Sequence, residues 1–423
     1  MDQHETRTAR ARETEQGMRR TGDGQGGTPA GTRWAAVLAI VGAGVVAALQ
    51  VGKVIIAAPL LRRDMGLDLA AVGSLTAVFS VLGMVGGIAA GGVIARFGAR
   101  RMLLLGLAAT ALGTAAGAAA PGYSALLASR VLEGLGFLMI TVAGPAALQR
   151  LVTPARRDLA FALWSCYMPG GMAVAMLASQ AFADWHAYWW CAGAAALLAL
   201  ACVALLAPPS AAGASLSWRG LRQDTIDTLG TAGPVLLSLT FMLYSLMFFA
   251  LFSFLPVLLM ERLGLSLAQA GLYSAIATVA NVIGNLGAGM LLARGWRRST
   301  LIAIACASMA LIALLIFRSG APAMTIFLLC VAFSAVGGLI PATLLGSAPL
   351  LAPRPALAAA SVGLVMQGSN LGQVIGPVTV GAVIDRHGWP SAAWVVVAAG
   401  AGGLLIAWGL RRLGRRASHA ARL

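Results

Sequence analysis

Residues 66–100 and 264–298 of this chain are two copies of one pattern. Gly66-Leu67, Gly73, Gly86 and Gly91 of the first copy recur in the second as Gly264-Leu265, Gly271, Gly284 and Gly289, and 13 of the 35 aligned positions are identical. Each copy is an apolar run that closes on a short basic turn, at residues 96–101 and 294–298. The chain as a whole is 59% hydrophobic and only 10% charged, whereas a soluble domain carries about 25% charged residues. A repeat of this length in so apolar a chain predicts two related halves, both embedded in a membrane.

A helical span takes about 20 apolar residues. The apolar runs place twelve, at 34–60, 69–94, 102–119, 123–149, 159–182, 187–206, 234–260, 267–292, 300–317, 322–350, 357–384 and 391–410. The expected fold is therefore an all-α membrane protein of twelve transmembrane helices in two pseudo-symmetric six-helix halves, residues 34–207 and 233–411. Residues 1–33 are polar and glycine-rich, without an apolar periodicity, and are expected to be a disordered cytoplasmic tail. Residues 208–232 form a cytoplasmic linker. Its Leu216, Trp218, Leu221 and Ile226 stand among charged residues, a pattern suited to an amphipathic helix at the membrane surface. Residues 412–423 form a second cytoplasmic tail.

The basic residues test this map independently, because cytoplasmic loops carry the excess of Lys and Arg. With both termini inside, 23 of the 30 basic residues fall on the cytoplasmic side and five (Arg62, Arg63, Arg262, Arg318, Arg386) on the outer side. Lys53 and Arg130 remain, both inside spans. The formal charge of +16 follows from this topology and from contact with anionic lipid. Basic residues scattered over short loops make no folded basic face, so a nucleic-acid partner is not expected. The expected location is a bacterial inner membrane, multi-pass, with the chain a monomer in the lipid bilayer.

The inventory argues against enzyme chemistry. Cys166, Cys191, Cys202, Cys306 and Cys330 all fall within spans without metal-ligand spacing, and read as small apolar packing residues. His4, His186, His387 and His419 are scattered over loops and tails. No P-loop, catalytic histidine or pair of carboxylates occurs, so neither a cofactor nor ATP-driven transport is expected.

Two six-span halves, each with a glycine and a basic turn after its second span, resemble the major facilitator superfamily. The first copy reads Gly91-x-x-x-Ala95-Arg96-x-Gly98-x-Arg100 and the second Gly289-x-x-x-Ala293-Arg294-x-Trp296-Arg297-Arg298. The resemblance implies that Gly91, Arg96, Gly98, Arg100, Gly289, Arg294 and Arg298 take part in gating at the cytoplasmic face. It also marks a departure: the Asp with which the family helps lock its inner gate is replaced by Ala95 and Ala293, and the second copy lacks the late Gly. Span 4 adds Arg130-Val-Leu-Glu133-Gly134-Leu-Gly136, similar to the Arg-x-x-x-Gly-x-Gly element of the family's fourth span. The family works by alternating access, and the resemblance implies a secondary active transporter.

Glu133 is the one carboxylate well inside a span. A charge in the bilayer interior costs at least about 2.5–3.5 kcal/mol on insertion scales, so Glu133 needs a partner or a cavity. Arg130, three residues earlier, shares its helix face. The pair serves either as a staple between helices or as a cavity-facing site for a proton or an anionic substrate. Lys53, the chain's single lysine, lies at a depth marginal for snorkelling, so it either reaches the outer headgroups or points into the cavity. It is expected to be a cationic point in the cavity, similar to the cation in the first span of the cyanate-permease-like anion carriers. Gln367, Asn370 and Gln373 in span 11, Asn281 and Asn285 in span 8 and Tyr244 in span 7 add polar groups that bond either substrate or neighbouring helices. The expected substrate-binding set is thus Lys53, Arg130, Tyr244, Asn281, Gln367 and Asn370, with Glu133 coupling protons. A cavity of net charge +1 favours a small organic or inorganic anion, carried with protons. An exporter of apolar or cationic compounds and a non-transporting sensor are the alternatives.

Overall fold

The computed structural model describes residues 31–420 other than 68, 180, 183, 210–217, 319 and 321. The expected tail thus lies outside the described residues up to position 30, as do residues 210–217 of the linker. Six spans form the first half: span 1 (Trp34–Met65), span 2 (Leu69–Phe97), span 3 (Ala99–Ala118), span 4 (Tyr123–Leu151), span 5 (Arg157–Ser165 and Tyr167–Ser179) and span 6 (Trp185–Leu206). A linker helix, Trp218–Leu229, follows. The second half holds span 7 (Ala232–Phe252 and Leu255–Leu263), span 8 (Leu267–Ala293), span 9 (Arg298–Arg318), span 10 (Ala323–Gly337 and Leu339–Ser347), span 11 (Ala358–His387) and span 12 (Trp389–Ala420). Among the described residues there is no strand. Eleven of these segments are long and apolar enough to cross a bilayer. Span 11 falls short of that measure because Gln367, Asn370 and Gln373 interrupt it.

Prolines explain the broken spans. A proline gives no N–H to the carbonyl four residues back and crowds it. Pro169 faces that conflict with Ser165, Pro256 with Phe252 and Pro341 with Gly337, and each helix divides at that level. Span 11, by contrast, runs unbroken through Pro377. Its glycines serve close approach instead. Gly368, Gly372 and Gly376 lie on the span 7 backbone at Ser238, Met242 and Leu246, where any side chain would collide. Span 12 also continues past the expected tail boundary at 412, since residues 411–420 contain good helix formers and no breaker beyond Gly414. Arg412 lies over the Trp408 ring at 3.4 Å.

An even number of spans puts both chain ends on one face, here called the tail face. Turns on both faces need left-handed backbone, and glycine supplies it: Gly66 and its repeat partner Gly264 close spans 1 and 7 with φ of 66° and 64°. On the tail face Gly98 takes φ 88°. In the second copy Gly295, one position earlier than the repeat predicts, takes φ 86° in its stead. The late Gly missing from that motif has moved by one residue rather than vanished.

The halves meet along two seams. In the first, Gly87 of span 2 lies on Gly363 of span 11, and Gly91 on Ala359 and Ala360. In the second, Gly289 of span 8 lies on Ala162 and the Asp158 backbone of span 5. Both contacts are in the tail-face half of the molecule. A β-carbon at Gly363 would run into the Gly87 backbone. Gly363→Val should therefore part spans 2 and 11. In a cysteine-free background, a cysteine at buried Ala360 should then react several-fold faster with a thiol reagent, whereas unchanged labelling would show that the seam does not depend on this contact.

Candidate functional site

The first half encloses three charged side chains that are completely buried: Lys53, Arg130 and Glu133. Span 1 carries Lys53 and, one turn before it, Gln50. Span 4 carries Arg130 and Glu133. Span 3 reaches them because Gly113 has no side chain; a β-carbon there would strike Glu133. Gly117 makes the same room beside Ser129 and Trp189.

Glu133 sits between the two cations. Lys53 Nζ donates to Glu133 Oε1 at 2.9 Å, and Arg130 Nη1 donates to Glu133 Oε2. Both cations make further hydrogen bonds. Lys53 Nζ donates to Thr114 Oγ1 at 3.2 Å, and Thr114 Oγ1 donates to Gln50 Oε1 at 3.2 Å. Gln50 Nε2 then donates to the Ala192 carbonyl of span 6 at 3.2 Å. Arg130 Nε donates to the Leu75 carbonyl at 3.1 Å and Nη2 to the Gln50 carbonyl at 2.9 Å. Aromatic faces close the sides: the Lys53 ammonium is 4.7 Å from the Trp189 ring centre and the Arg130 guanidinium 4.2 Å from that of Phe79. Lys53 therefore does not snorkel to the headgroups. Five spans of one half converge on a triad whose ionised sum is +1.

The other expected residues lie elsewhere. In the second half Asn281 Nδ2 donates to Tyr244 Oη at 3.1 Å and to the Ser334 carbonyl at 2.9 Å, beside the break in span 10. Asn285 Nδ2 donates to Asn281 Oδ1 at 2.8 Å. Gln367 crosses the first seam, its Nε2 donating to the Met84 carbonyl of span 2 at 2.8 Å. Asn370 donates to the Met366 carbonyl of its own helix at 2.7 Å and packs on Gly83. The expected substrate set thus forms three groups: the triad, the Tyr244–Asn281 pair, and two amides at the seam.

The basic turns play unequal parts. Arg100 holds span 3 to the end of span 6, donating to the Ala204 and Ala207 carbonyls at 2.7 Å. Its repeat partner Arg298 crosses to the other half and donates to Asp158 Oδ1 at 2.9 Å, with a weaker contact to Ser347 Oγ at 3.4 Å. Ala95 and Ala293, which stand where the family motif has Asp, lie exposed at the ends of spans 2 and 8. The carboxylate that ties the halves together on the tail face is Asp158. Arg96 lies over the ring of Phe97 at 5.6 Å, and Arg294 is exposed.

Sequence reasoning passed over Gln50, Thr114 and Trp189, and did not pair Asp158 with Arg298. Gln50 had a signal, since it precedes Lys53 by three and so shares its helix face. Thr114 and Trp189 are ordinary residues of apolar spans and carried none.

Twelve spans in two similar halves, with charged groups sealed inside the membrane-spanning layer, are the architecture of a secondary transporter. The sequence profile of the Major Facilitator Superfamily matches residues 40–367, and the chain belongs to that family of multi-pass membrane transporters. Two solved structures share the fold. The human organic anion transporter MFSD10 (TETRAN) superposes with a TM-score of 0.73 at 18% identity, over 89% of this chain and 99% of that one. The proton:xylose symporter XylE, bound to 6-bromo-6-deoxy-D-glucose, gives 0.71 at 15% identity, over 89% and 95%. At such identities the likeness concerns the fold alone. A curated relative, the puromycin resistance protein pur8 of Streptomyces alboniger, is 31% identical over 162 residues. That match spans 38% of this chain and about a third of the relative's own length, 32%.

Removing one partner from a buried ionic network costs about 3–5 kcal/mol, because a charge is left uncompensated. Glu133→Gln strands two cations, whereas Lys53→Met leaves a neutral Arg130–Glu133 pair. Thermal unfolding in detergent should rank stability as parent, then Lys53→Met, then Glu133→Gln. Equal losses in the two variants would show that Glu133 does not serve both cations.

Proposed function

We propose that this transporter carries a small organic or inorganic anion by alternating access, coupled to protons, in a bacterial inner membrane with both termini cytoplasmic. The observation that carries this reading is the buried triad. Two cations share one carboxylate within the bilayer, and the excess positive charge makes the first half attractive to an anion once the halves part. Lys53 and Arg130 supply that attraction, Tyr244 and Asn281 contribute neutral hydrogen-bonding groups from the second half, and Gln367 and Asn370 join the site from the seam. Proton movement through the triad balances the anion's charge. With the tail face cytoplasmic, the Gly87–Gly363 and Gly91–Ala359 contacts and the Asp158–Arg298 pair hold the inward gate shut. The motif residues Gly91, Arg96, Gly98, Arg100, Gly289, Arg294 and Arg298 then sit at that gate.

The similarity to a puromycin resistance protein favours a second reading, export of a cationic or apolar compound. Proteoliposomes offered a panel of inorganic anions and short carboxylates, with puromycin alongside, separate the two. The anion reading expects uptake of a panel anion that rises with an imposed pH gradient and collapses with a protonophore. Movement of puromycin with no anion moved would establish the export reading instead. Orientation has its own check. Trp296 is exposed in the turn after span 8, so Trp296→Cys in a cysteine-free background should react with a membrane-impermeant thiol reagent only from the cytoplasmic side. Labelling from outside would reverse the topology.

A further inference from the structure

We propose that Lys53, rather than Glu133, is the group that takes up and releases the coupling proton, and that Glu133 stays ionised between its two cations throughout the cycle. The inference rests on the proton-coupled reading above and assigns the proton within the triad.

Charge counting carries it. Arg130 keeps its charge at any accessible pH. Its guanidinium is also committed to the Leu75 and Gln50 carbonyls as well as to Glu133. Two members can therefore change state. Protonating Glu133 takes the triad from +1 to +2 and leaves two neighbouring buried cations without a counter-charge. Deprotonating Lys53 takes it from +1 to zero and leaves Arg130 and Glu133 as a matched pair. In a bilayer interior the step toward neutrality is the accessible one.

The hydrogen bonds allow the same step. An ammonium has three donors and no acceptor; the amine formed from it keeps two donors and gains a lone pair. Lys53 Nζ now donates to both Glu133 Oε1 and Thr114 Oγ1. After the proton leaves, Nζ still donates to Glu133. The Thr114 hydroxyl, now turned toward Gln50 Oε1, can rotate and donate to the Nζ lone pair. One hydroxyl rotation thus satisfies the Nζ lone pair, in exchange for the Thr114 bond to Gln50 Oε1. No equivalent adjustment serves a protonated Glu133, since its new O–H would point at cations that offer only donors. The proton itself passes from Nζ to water on whichever face the path is open, and returns from water on the other.

The surroundings of Lys53 add no competing charge. Span 1 presents Gln50, span 2 presents Phe79 and the Leu75 carbonyl, and span 3 presents Thr114. Span 4 presents Arg130, Glu133 and Ser129, whose hydroxyl donates to Leu126. Span 6 presents Trp189 and Tyr188, the latter donating to the Ala175 carbonyl at 3.0 Å. Among the described residues, Glu133 and Arg130 are the charged groups that act on Lys53.

Trp189 provides a reporter that needs neither substrate nor gradient, because an ammonium over an indole ring polarises it and a neutral amine does not. The full-length protein in lipid nanodiscs is titrated with pH, and the emission of Trp189 is isolated by subtracting the Trp189→Phe variant. A single titration is expected in the parent and its loss in Lys53→Met. Infrared difference spectra across the same pH range should show no protonated-carboxyl band with that midpoint. Three results would overturn the assignment: a titration that survives Lys53→Met, a parent that does not titrate at all, or a carboxyl band at that midpoint that disappears in Glu133→Gln. A parent that titrates as expected but fails to use a pH gradient in proteoliposomes would remove the proton-coupled reading and leave the titration of Lys53 standing.

Discussion

One carboxylate shared by two cations is the constraint around which the first half is arranged. Neither cation could stay at this depth without Glu133, and Glu133 could not stay without them. Their secondary bonds then recruit carbonyls from spans 1, 2 and 6 and a hydroxyl from span 3. Each of these bonds is directional, so the rotation of five helices about their axes is set together. Aliphatic packing alone would tolerate several such arrangements, since lipid tails are as apolar as the helices themselves. The glycines Gly113 and Gly117 complete the device by letting span 3 approach close enough to reach the charges.

The two halves share a plan but have diverged in how they hold themselves together. The first half is tied by ions; the second uses neutral amides and a phenol, Asn281, Asn285 and Tyr244. The same divergence shows at the tail-face seams. The span 2–span 11 seam is closed by glycine and alanine backbone contact and by neutral amides, Gln367 donating to the Met84 carbonyl. The span 5–span 8 seam adds an ion pair, Asp158–Arg298. Arg298 and Arg100 occupy the same place in the repeat, yet one reaches across the molecule and the other binds its own half. Asp158 makes that difference, and it compensates for the two alanines that replaced the acidic residue of the motif. Among the described residues, neither seam is held by a buried ion pair: one has backbone contact and neutral amides, the other a part-exposed Asp158–Arg298 pair.

The repeat of glycines and arginines at residues 66–100 and 264–298, the lengths of the apolar runs and the sidedness of the arginines determined by themselves that this chain has twelve spans in two related halves with both ends on one face. These are local properties: a run of apolar residues must span, a Gly must fill a left-handed turn, and neither depends on what lies elsewhere. The pairing of Arg130 with Glu133 was legible for the same reason, being a single helix turn. Only the tertiary structure decided that Lys53, 80 residues from Glu133 in sequence, completes the triad, that Gln50, Thr114 and Trp189 enclose it, and that Arg298 finds Asp158 at a separation of 140. Such contacts depend on how each helix is rotated and tilted against its neighbours. In spans that are apolar on nearly every face, no periodicity in the sequence records that rotation, and it emerges only when the few polar groups must find one another.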